Sequence, residues 1–406
     1  MRRRHGHLES RAPFQVKIEK LTYGGEGLGR VEGRVVFVPF TVPGDHLEVR
    51  PVEEKKNYVR AAVTRILQPG PGRRDPPCPH FGRCGGCQWQ HLDYALQVEL
   101  KRGILEELFH HHFPESRSLS ISMKASPEEY GYRSRARLQL RGGATTPAAG
   151  FFRYRSQSVE DIDRCPLFRP PLNEALAAVR RAQLDGSLRT LAQEIGVACA
   201  EDGSYAYQET APAEPQSGKT LSRHAGGFRY AFEPAVFFQA NDFLIEDLIA
   251  TVMGLTHGSH DALDLYAGVG LFTLPFARHY QNVVAVESSP AAHRLCVGNV
   301  SGAGLKNVRA VRADVADWIH AADSVAAPAF DLILLDPPRQ GSGQEIMRRL
   351  AEWAPETMIY VSCDPQTLIR DLAALPARDY QIDRIAGLDL FPQTFHIETV
   401  VRLRRR

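Results

Sequence analysis

The chain has 406 residues, 43% hydrophobic and 24% charged, with a formal net charge of +2. That length accommodates two or three domains. It contains no apolar run of the roughly eighteen residues a membrane span needs, and no apolar core follows the basic start Met1-Arg2-Arg3-Arg4-His5, so no membrane association and a cytoplasmic location are expected. Seven irregularly spaced cysteines argue against a disulfide scaffold and, in a reducing compartment, suggest metal binding or catalysis. The small net charge conceals local excess: residues 1–75 hold 15 Lys and Arg against 9 Asp and Glu, and the sequence finishes Arg402, Arg404, Arg405, Arg406. Basic character at both ends is compatible with a polyanionic partner.

The first segment, residues 9–70, alternates apolar and polar side chains over Phe14–Glu19, Arg34–Val38 and Leu47–Arg50, with a further strand pattern from Tyr58 to Ile66. Turn chemistry separates them, at Gly24-Gly25-Glu26-Gly27-Leu28-Gly29 and Pro43-Gly44-Asp45. Short strands joined by glycine turns predict a small barrel of the OB type. On Leu21-Thr22-Tyr23-Gly24-Gly25-Glu26-Gly27, Val38-Pro39-Phe40 and Val42-Pro43-Gly44-Asp45, the segment resembles a TRAM domain, a small RNA-binding barrel attached to RNA-modifying enzymes. Lys55, Lys56 and Arg60 would follow a phosphate backbone, and Tyr23, Phe37 or Tyr58 could stack on bases or fill the barrel core. Phe37 is assigned to the barrel core.

A linker rich in Pro and Gly (Pro69–Pro77) leads into Cys78-Pro79-His80-Phe81-Gly82-Arg83-Cys84-Gly85-Gly86-Cys87, and Cys165-Pro166 follows later. Four thiolates complete the ligand set of a structural zinc or of a 4Fe–4S cluster, and spacing alone leaves the two open. From His91 to His110, Leu92, Leu96, Leu100, Ile104, Leu105 and Leu108 recur at three- and four-residue steps, which predicts an amphipathic helix. Tyr132–Leu138 and Phe151–Ser156 alternate Arg with aromatic or apolar residues around Gly142-Gly143 and Gly150, predicting antiparallel sheet with a basic, RNA-facing side. Residues 202–222 read as a polar loop.

From residue 231 the pattern changes to strands alternating with helices, a doubly wound α/β domain. Ala262–Tyr266 is a strand running into Ala267-Gly268-Val269-Gly270-Leu271, and the next strand, Val283–Val286, ends in Glu287. Glycines at a first βα turn admit a ligand closely, and an acid after the second strand suits a ribose diol. The turn has no third glycine and is led by Asp264, which favours S-adenosylmethionine over a dinucleotide. Asp314 follows a third strand, Asp336-Pro337-Pro338-Arg339 a fourth, and Cys363 closes the fifth, Met358–Cys363, before Asp364-Pro365. Tyr380–Leu390 and Ile397–Leu403 complete the sheet.

The combination of Asp336-Pro337-Pro338, Ser362-Cys363-Asp364-Pro365, Phe391-Pro392-Gln393-Thr394-Phe395-His396-Ile397-Glu398, Phe237-Phe238-Gln239-Ala240-Asn241 and Leu368-Ile369-Arg370-Asp371-Leu372 closely resembles the RNA 5-methyluridine methyltransferase family, over nearly the whole chain. The barrel and the four cysteines make it most similar to the 23S ribosomal RNA branch, in which such cysteines hold a 4Fe–4S cluster. The resemblance implies a class I methyltransferase sheet at 231–406, a small α+β iron–sulfur domain at 71–230 whose helix could pack on the catalytic domain, and the N-terminal barrel. It implies Cys363 as nucleophile at uracil C6 and Glu398 as the base removing the C5 proton. Gln239, Tyr266, Gly268, Gly270, Glu287, Asp314 and Asp336 would line the S-adenosylmethionine and uracil site, and Cys78, Cys84, Cys87 and Cys165 would bind the cluster. A monomer acting on RNA is expected, with 23S ribosomal RNA favoured over transfer RNA. The sequence departs from the family where Leu271 replaces a frequent Asn, Asp364 another frequent Asn, and Ala267 a Cys or Ser. Two other readings remain: a methyltransferase for exocyclic amines, which needs no thiol, and a non-catalytic RNA-binding protein.

Overall fold

The computed structural model describes residues 12–142, 147–188, 193–210, 219–323, 329–376 and 378–406. The basic start Met1–His5, Gly143 and residues 211–218 of the expected loop lie outside them. Strands β1 (Phe14–Leu21), β2 (Glu26–Val31), β3 (Arg34–Pro39), β4 (His46–Glu54) and β5 (Tyr58–Gln68) close into a barrel in the order β1-β2-β3-β5-β4. Side chains alternate across each strand, and Val16, Ile18, Val36, Val38, Leu47, Val49, Val59 and Ala61 fill the interior. The assignment of Phe37 to that interior is wrong. It lies between inward Val36 and Val38, so it faces outward, meeting Tyr58 edge-on at 5.8 Å and the Arg60 guanidinium at 5.9 Å.

Helix α1 (Tyr94–His112) buries Ile104, Leu105 and Phe109 in the same apolar cluster as Leu335, Met358, Tyr360 and Val401 of the C-terminal sheet. Strand β6 (Ser122–Lys124) even joins that sheet at its edge. The intervening unit has its own sheet, formed by β7 (Arg135–Arg141), β8 (Ala148–Phe152), β9 (Val159–Asp161), β10 (Glu194–Cys199) and β11 (Tyr205–Glu209) in the order β11-β10-β7-β8-β9. Helix α2 (Pro170–Leu184) covers one face with Leu172, Ala175, Leu176 and Val179. Residues 205–209 are thus strand where a loop was expected, held by five residues of register against β10.

The basic side expected on this sheet is largely neutralised. Arg135 is buried and donates to the carbonyls of Pro234, Val236 and Phe238. Arg137 pairs with Glu194, Arg153 with Glu160, and Arg155 reaches Glu26 of the barrel. A hairpin, β12 (Leu221–Ala225) and β13 (Phe228–Phe232), leads into the last unit.

That unit runs α3 (Ile245–Met253), β14 (Asp261–Leu265), α4 (Thr273–Phe276), β15 (Asn282–Glu287), α5 (Pro290–Gly302), β16 (Val308–Arg312), α6 (Val315–Asp323), β17 (Leu332–Leu335), α7 (Gln344–Glu352), β18 (Thr357–Ser362), α8 (Pro365–Leu372), β19 (Tyr380–Leu388) and β20 (Glu398–Arg405). The sheet order is β16-β15-β14-β17-β18-β20-β19-β6. β14 to β18 are parallel, whereas β20 inserts antiparallel between β18 and β19. Both faces of β17 and β18 are covered, which is why β17 is apolar throughout, β18 is apolar between its terminal Thr357 and Ser362, and both are buried at every position. The chain order reverses between β14 and β17, so the carboxyl ends of the parallel strands open a crevice there. Among the described residues no helix is long and apolar enough to cross a membrane.

Candidate active site

The crevice begins at the turn after β14. Tyr266 holds φ +62°, a region a non-glycine residue rarely enters, so the backbone is strained where the loop leaves the strand. Gly268 (φ +57°) has open space where a Cβ would stand, whereas a Cβ at Gly270 would come within 3.0 Å of Leu274 and 3.2 Å of Cys296. The Glu287 carboxylate accepts from Gly268 N–H at 2.9 Å and Ser289 N–H at 2.6 Å, fixing the acid at the mouth of the turn. Asp314 is exposed at the head of α6 and accepts from Ala316 N–H. Leu271, the departure noted above, buries its side chain in the core and gives its carbonyl to Tyr230.

Cys363 lies one residue beyond β18. The β18–β20 register pairs Ser362 with Thr399, so the next step sets Cys363 opposite Glu398. The thiol is pushed up to about 12, by burial first, then by Glu398, with Asp336 and Asp364 adding to it and Arg339 opposing. Burial and the neighbouring Asp336 push Glu398 well above the carboxylate range. Asp336 rises to about 7, by burial and by Asp264 beneath it. Arg339 donates to His396 Nε2 at 3.2 Å, and His396 is held neutral, down to about 3, by burial and by that guanidinium. The Cys363 turn is stiff: Ser362 Oγ bonds both the carbonyl and the N–H of Asp364, and Asp364 Oδ1 caps α8 through Gln366 and Thr367.

Gln239 is buried on the loop that Arg135 holds by its carbonyls, and Phe237 two residues earlier is 61% exposed. The structure therefore brings Tyr266, Gly268, Glu287, Asp314, Asp336, Cys363 and Glu398 to one sheet edge, with Gln239 on a loop of its own. One residue in the site was missed as such. Tyr23, expected to face RNA, turns inward from the barrel, its hydroxyl buried beside Asp364, Cys363 and Arg339. Its only sequence signal is its place in a glycine turn.

The other candidate centre is the cavity lined by Cys78, Cys84, Cys87 and Cys165. Gly86 N–H points at Cys84 Sγ at 3.4 Å, and Gln90 and the Leu167 N–H face the Cys87 and Cys165 sulfurs. A Cβ at Gly85 would strike the Phe152 carbonyl at 2.8 Å, so the strand beside the cavity admits only glycine there. Among the described residues no three His, Cys, Asp or Glu side chains converge closely enough to hold a single ion. The four thiols line one cavity, with N–H donors aimed at sulfur, a donor set that fits a thiolate-held metal centre.

Comparison with known proteins decides the family. Residues 218–406 match the model described as tRNA (Uracil-5-)-methyltransferase, and residues 11–64 match the TRAM domain. A protein of Klebsiella pneumoniae named 23S rRNA (uracil(1939)-C(5))-methyltransferase RlmD is 34% identical over 432 residues, covering 98% of this chain and 97% of the relative. This chain belongs to the RNA uracil-C5 methyltransferase family. An uncharacterized RNA methyltransferase of Thermosynechococcus vestitus is 30% identical over 97% of this chain and 98% of its own length. The crystal structure of Pyrococcus abyssi tRNA (uracil-54, C5)-methyltransferase with S-adenosyl-L-homocysteine superposes with TM-score 0.73 at 25% identity, over 96% of this chain and 100% of that one. As a uracil-C5 methyltransferase, the enzyme uses S-adenosylmethionine and RNA, which decides against the exocyclic-amine and non-catalytic readings.

Proposed function

We propose that this enzyme methylates C5 of a uridine in 23S ribosomal RNA, with Cys363 as nucleophile and Glu398 as base. The observation that carries the chemistry is the β18–β20 register, which sets a thiol opposite a buried carboxyl at the mouth of the crevice; the choice of 23S ribosomal RNA is supported by the relatives named for that substrate. Uracil C5 is a weak nucleophile, and covalent addition divides the difficulty. Cys363, once ionised, forms a C–S bond at C6, sending the ring's electron pair onto O4 as an enolate. Arg339 faces that charge. S-adenosylmethionine would supply the methyl group, which C5 of the enolate takes as the methyl–sulfonium bond breaks and S-adenosylhomocysteine leaves. C5 then carries both methyl and hydrogen. Glu398 in its carboxylate form takes that proton, the C5–C6 double bond reforms, and the C6–S bond breaks to release the thiolate. Tyr266, Gly268, Gly270 and Glu287 would hold the cofactor, Asp314 its adenine side, and Gln239 and Asp336 the junction with uracil. The base must leave its stack to reach Cys363, and exposed Phe237 stands where a displaced neighbour could stack.

The four cysteines would hold a 4Fe–4S cluster in a structural role. The donor set and the four thiols lining one cavity support it. Anaerobically purified protein should contain about four irons and four sulfides per chain; stoichiometric zinc would refute the assignment. We read the chain as three domains divided near residues 70 and 230, acting as a cytoplasmic monomer.

The deciding experiment incubates full-length enzyme with cofactor and 5-fluorouridine-containing RNA. A denaturation-resistant adduct that disappears in Cys363→Ser is expected, since fluorine at C5 blocks elimination; no adduct with RNA that is otherwise methylated would refute the mechanism. Glu398→Gln should accumulate the adduct with ordinary uridine. Transfer RNA is the second reading, favoured by the Pyrococcus likeness. Methylation of transfer RNA transcripts but not of 23S fragments would establish it.

A further inference from the structure

Tyr23 belongs to the N-terminal barrel yet stands beside Cys363, and the proposed chemistry leaves it without a role. The turn that carries it is built to dock. Thr22 N–H and Oγ1 both bond the Glu26 carbonyl (2.9 and 3.1 Å), and Gly25 N–H bonds the Thr22 carbonyl at 3.0 Å. Gly24 and Gly25 take φ of +101° and +85°. A Cβ at Gly25 would press on Phe395, Gln88 and Trp89 at 3.2–3.3 Å, and Trp89 Nε1 donates to the Gly25 carbonyl at 3.4 Å. So seated, the turn drives the Tyr23 ring edge-on against Phe395, centroids 5.5 Å apart. Its hydroxyl is buried and forms no closed hydrogen bond, yet it faces the Asp364 carboxylate, with Cys363 and Arg339 close by. Asp364 commits Oδ1 to the N-terminus of α8, which leaves Oδ2 for the hydroxyl. A buried donor is costly to leave unpaired, and a bond to a carboxylate is among the stronger ones available.

We propose that Tyr23 is a positioning residue for the nucleophile: its hydroxyl closes onto Asp364 Oδ2 and holds the Cys363–Asp364 turn in the reactive arrangement. This rests on the reading of Cys363 as the attacking thiol. The charged and titratable groups acting on that thiol are Asp364 on its own turn, Asp336 and Arg339 after β17, Glu398 on β20 and Tyr23 from the barrel, with His396 behind Arg339. Arg339 is the cation among them, so a carboxylate one residue away opposes ionisation of the thiol. A hydroxyl donated to that carboxylate draws its charge away from sulfur and fixes its direction. The barrel is then part of the catalytic apparatus as well as a handle for RNA.

The test measures adduct formation by full-length enzyme with saturating 5-fluorouridine RNA and cofactor, from about pH 6.5 to about pH 9.5. RNA affinity is followed by fluorescence anisotropy. Tyr23→Phe keeps the ring against Phe395 and removes only the hydroxyl. It should leave RNA affinity unchanged, lower the melting temperature by no more than a few degrees for the lost hydrogen bond, slow adduct formation near neutrality about tenfold, and move the pH–rate curve to higher pH. Asp364→Asn should move the curve to lower pH, and Tyr23→Phe in that background should have no further effect. An unchanged rate and pH profile in Tyr23→Phe, or an equal loss in both backgrounds, would overturn the proposal. Failure of the parent reading is distinct: wild-type enzyme would form no adduct, or Cys363→Ser would retain it.

Discussion

Three carboxyls, Asp264, Asp336 and Glu398, gather beneath the crevice, each held above its ordinary range by burial first and by a neighbouring carboxyl second, with Thr273 opposing at Asp264. Asp264 is fully buried, rises to about 7, and has Thr273 Oγ1 donating to Oδ2 at 2.5 Å while Oδ1 goes without a partner. Its folded pKa lies above its unfolded one, so its contribution to stability is complete below about pH 4 and is lost as pH rises through about 7. Asp264→Asn preserves an acceptor for Thr273 and removes the titration. The variant should gain on wild type between pH 5 and 8 by an amount on the order of 2–4 kcal/mol, seen as a melting-temperature difference that widens with pH. Parallel melting curves would show that Asp264 carries no extra proton. Cys363 obeys the same logic in reactivity: with the thiol up at about 12, alkylation mapped to it by mass spectrometry should be slow at neutral pH and climb steadily into alkali. Rapid neutral alkylation would place the free enzyme in a preactivated state.

At the scale of elements, helix α1 is tied to the loop after β19 by a fully buried ion pair, Lys101 to Asp389 at 2.6 Å, with Lys101 also donating to the Phe391 carbonyl at 3.1 Å. Removing one partner leaves the other charge buried. Lys101→Met should therefore cost about 3–5 kcal/mol of unfolding free energy, and the double variant with Asp389→Leu should recover much of it. A double variant no better than the single one would show that the pair is needed for shape rather than charge balance. This pair also marks where the sequence stops being readable. β15, β17 and β18 are legible because strands covered on both faces are largely apolar runs, and the polar residues at their ends then stand out as site candidates. Phe37 is misread because Val35-Val36-Phe37-Val38 is apolar throughout, so the phase of the alternation is ambiguous. Tyr23, Lys101, Asp389 and the sheet-edge strand β6 act across 80 residues or more of chain. No local pattern encodes such contacts.

Across the whole molecule, the cysteine cavity and the proposed catalytic base are mechanically joined. Gln88 and Trp89, immediately after Cys87, both donate their N–H groups to the Gln393 carbonyl at 3.0 Å. Tyr132, in the apolar cluster of Cys87 and Leu167, donates to the Pro392 carbonyl at 3.1 Å. Gln393 itself sits at φ +69° and is fully buried, a strained residue held by Gln97, Arg74 and Glu129. Five residues later comes Glu398. A group that cross-links the four thiols would thus brace the 391–396 loop through the Cys87–Trp89 backbone, and its loss would release that loop before the catalytic sheet is disturbed. Cys87→Ser protein, or wild type treated to remove any metal centre held by the four thiols, should exchange amide hydrogens faster at residues 391–396 while β17 and β18 keep their protection. Because Cys363 lies on a turn fixed by Ser362 and Asp364, addition should suffer less than elimination, and the methylated RNA adduct should persist longer than in wild type. Unchanged exchange over 391–396 would confine the cysteine centre to stabilising its own domain. Equal slowing of addition and elimination would mean that its loss disturbs the whole crevice instead of the base loop.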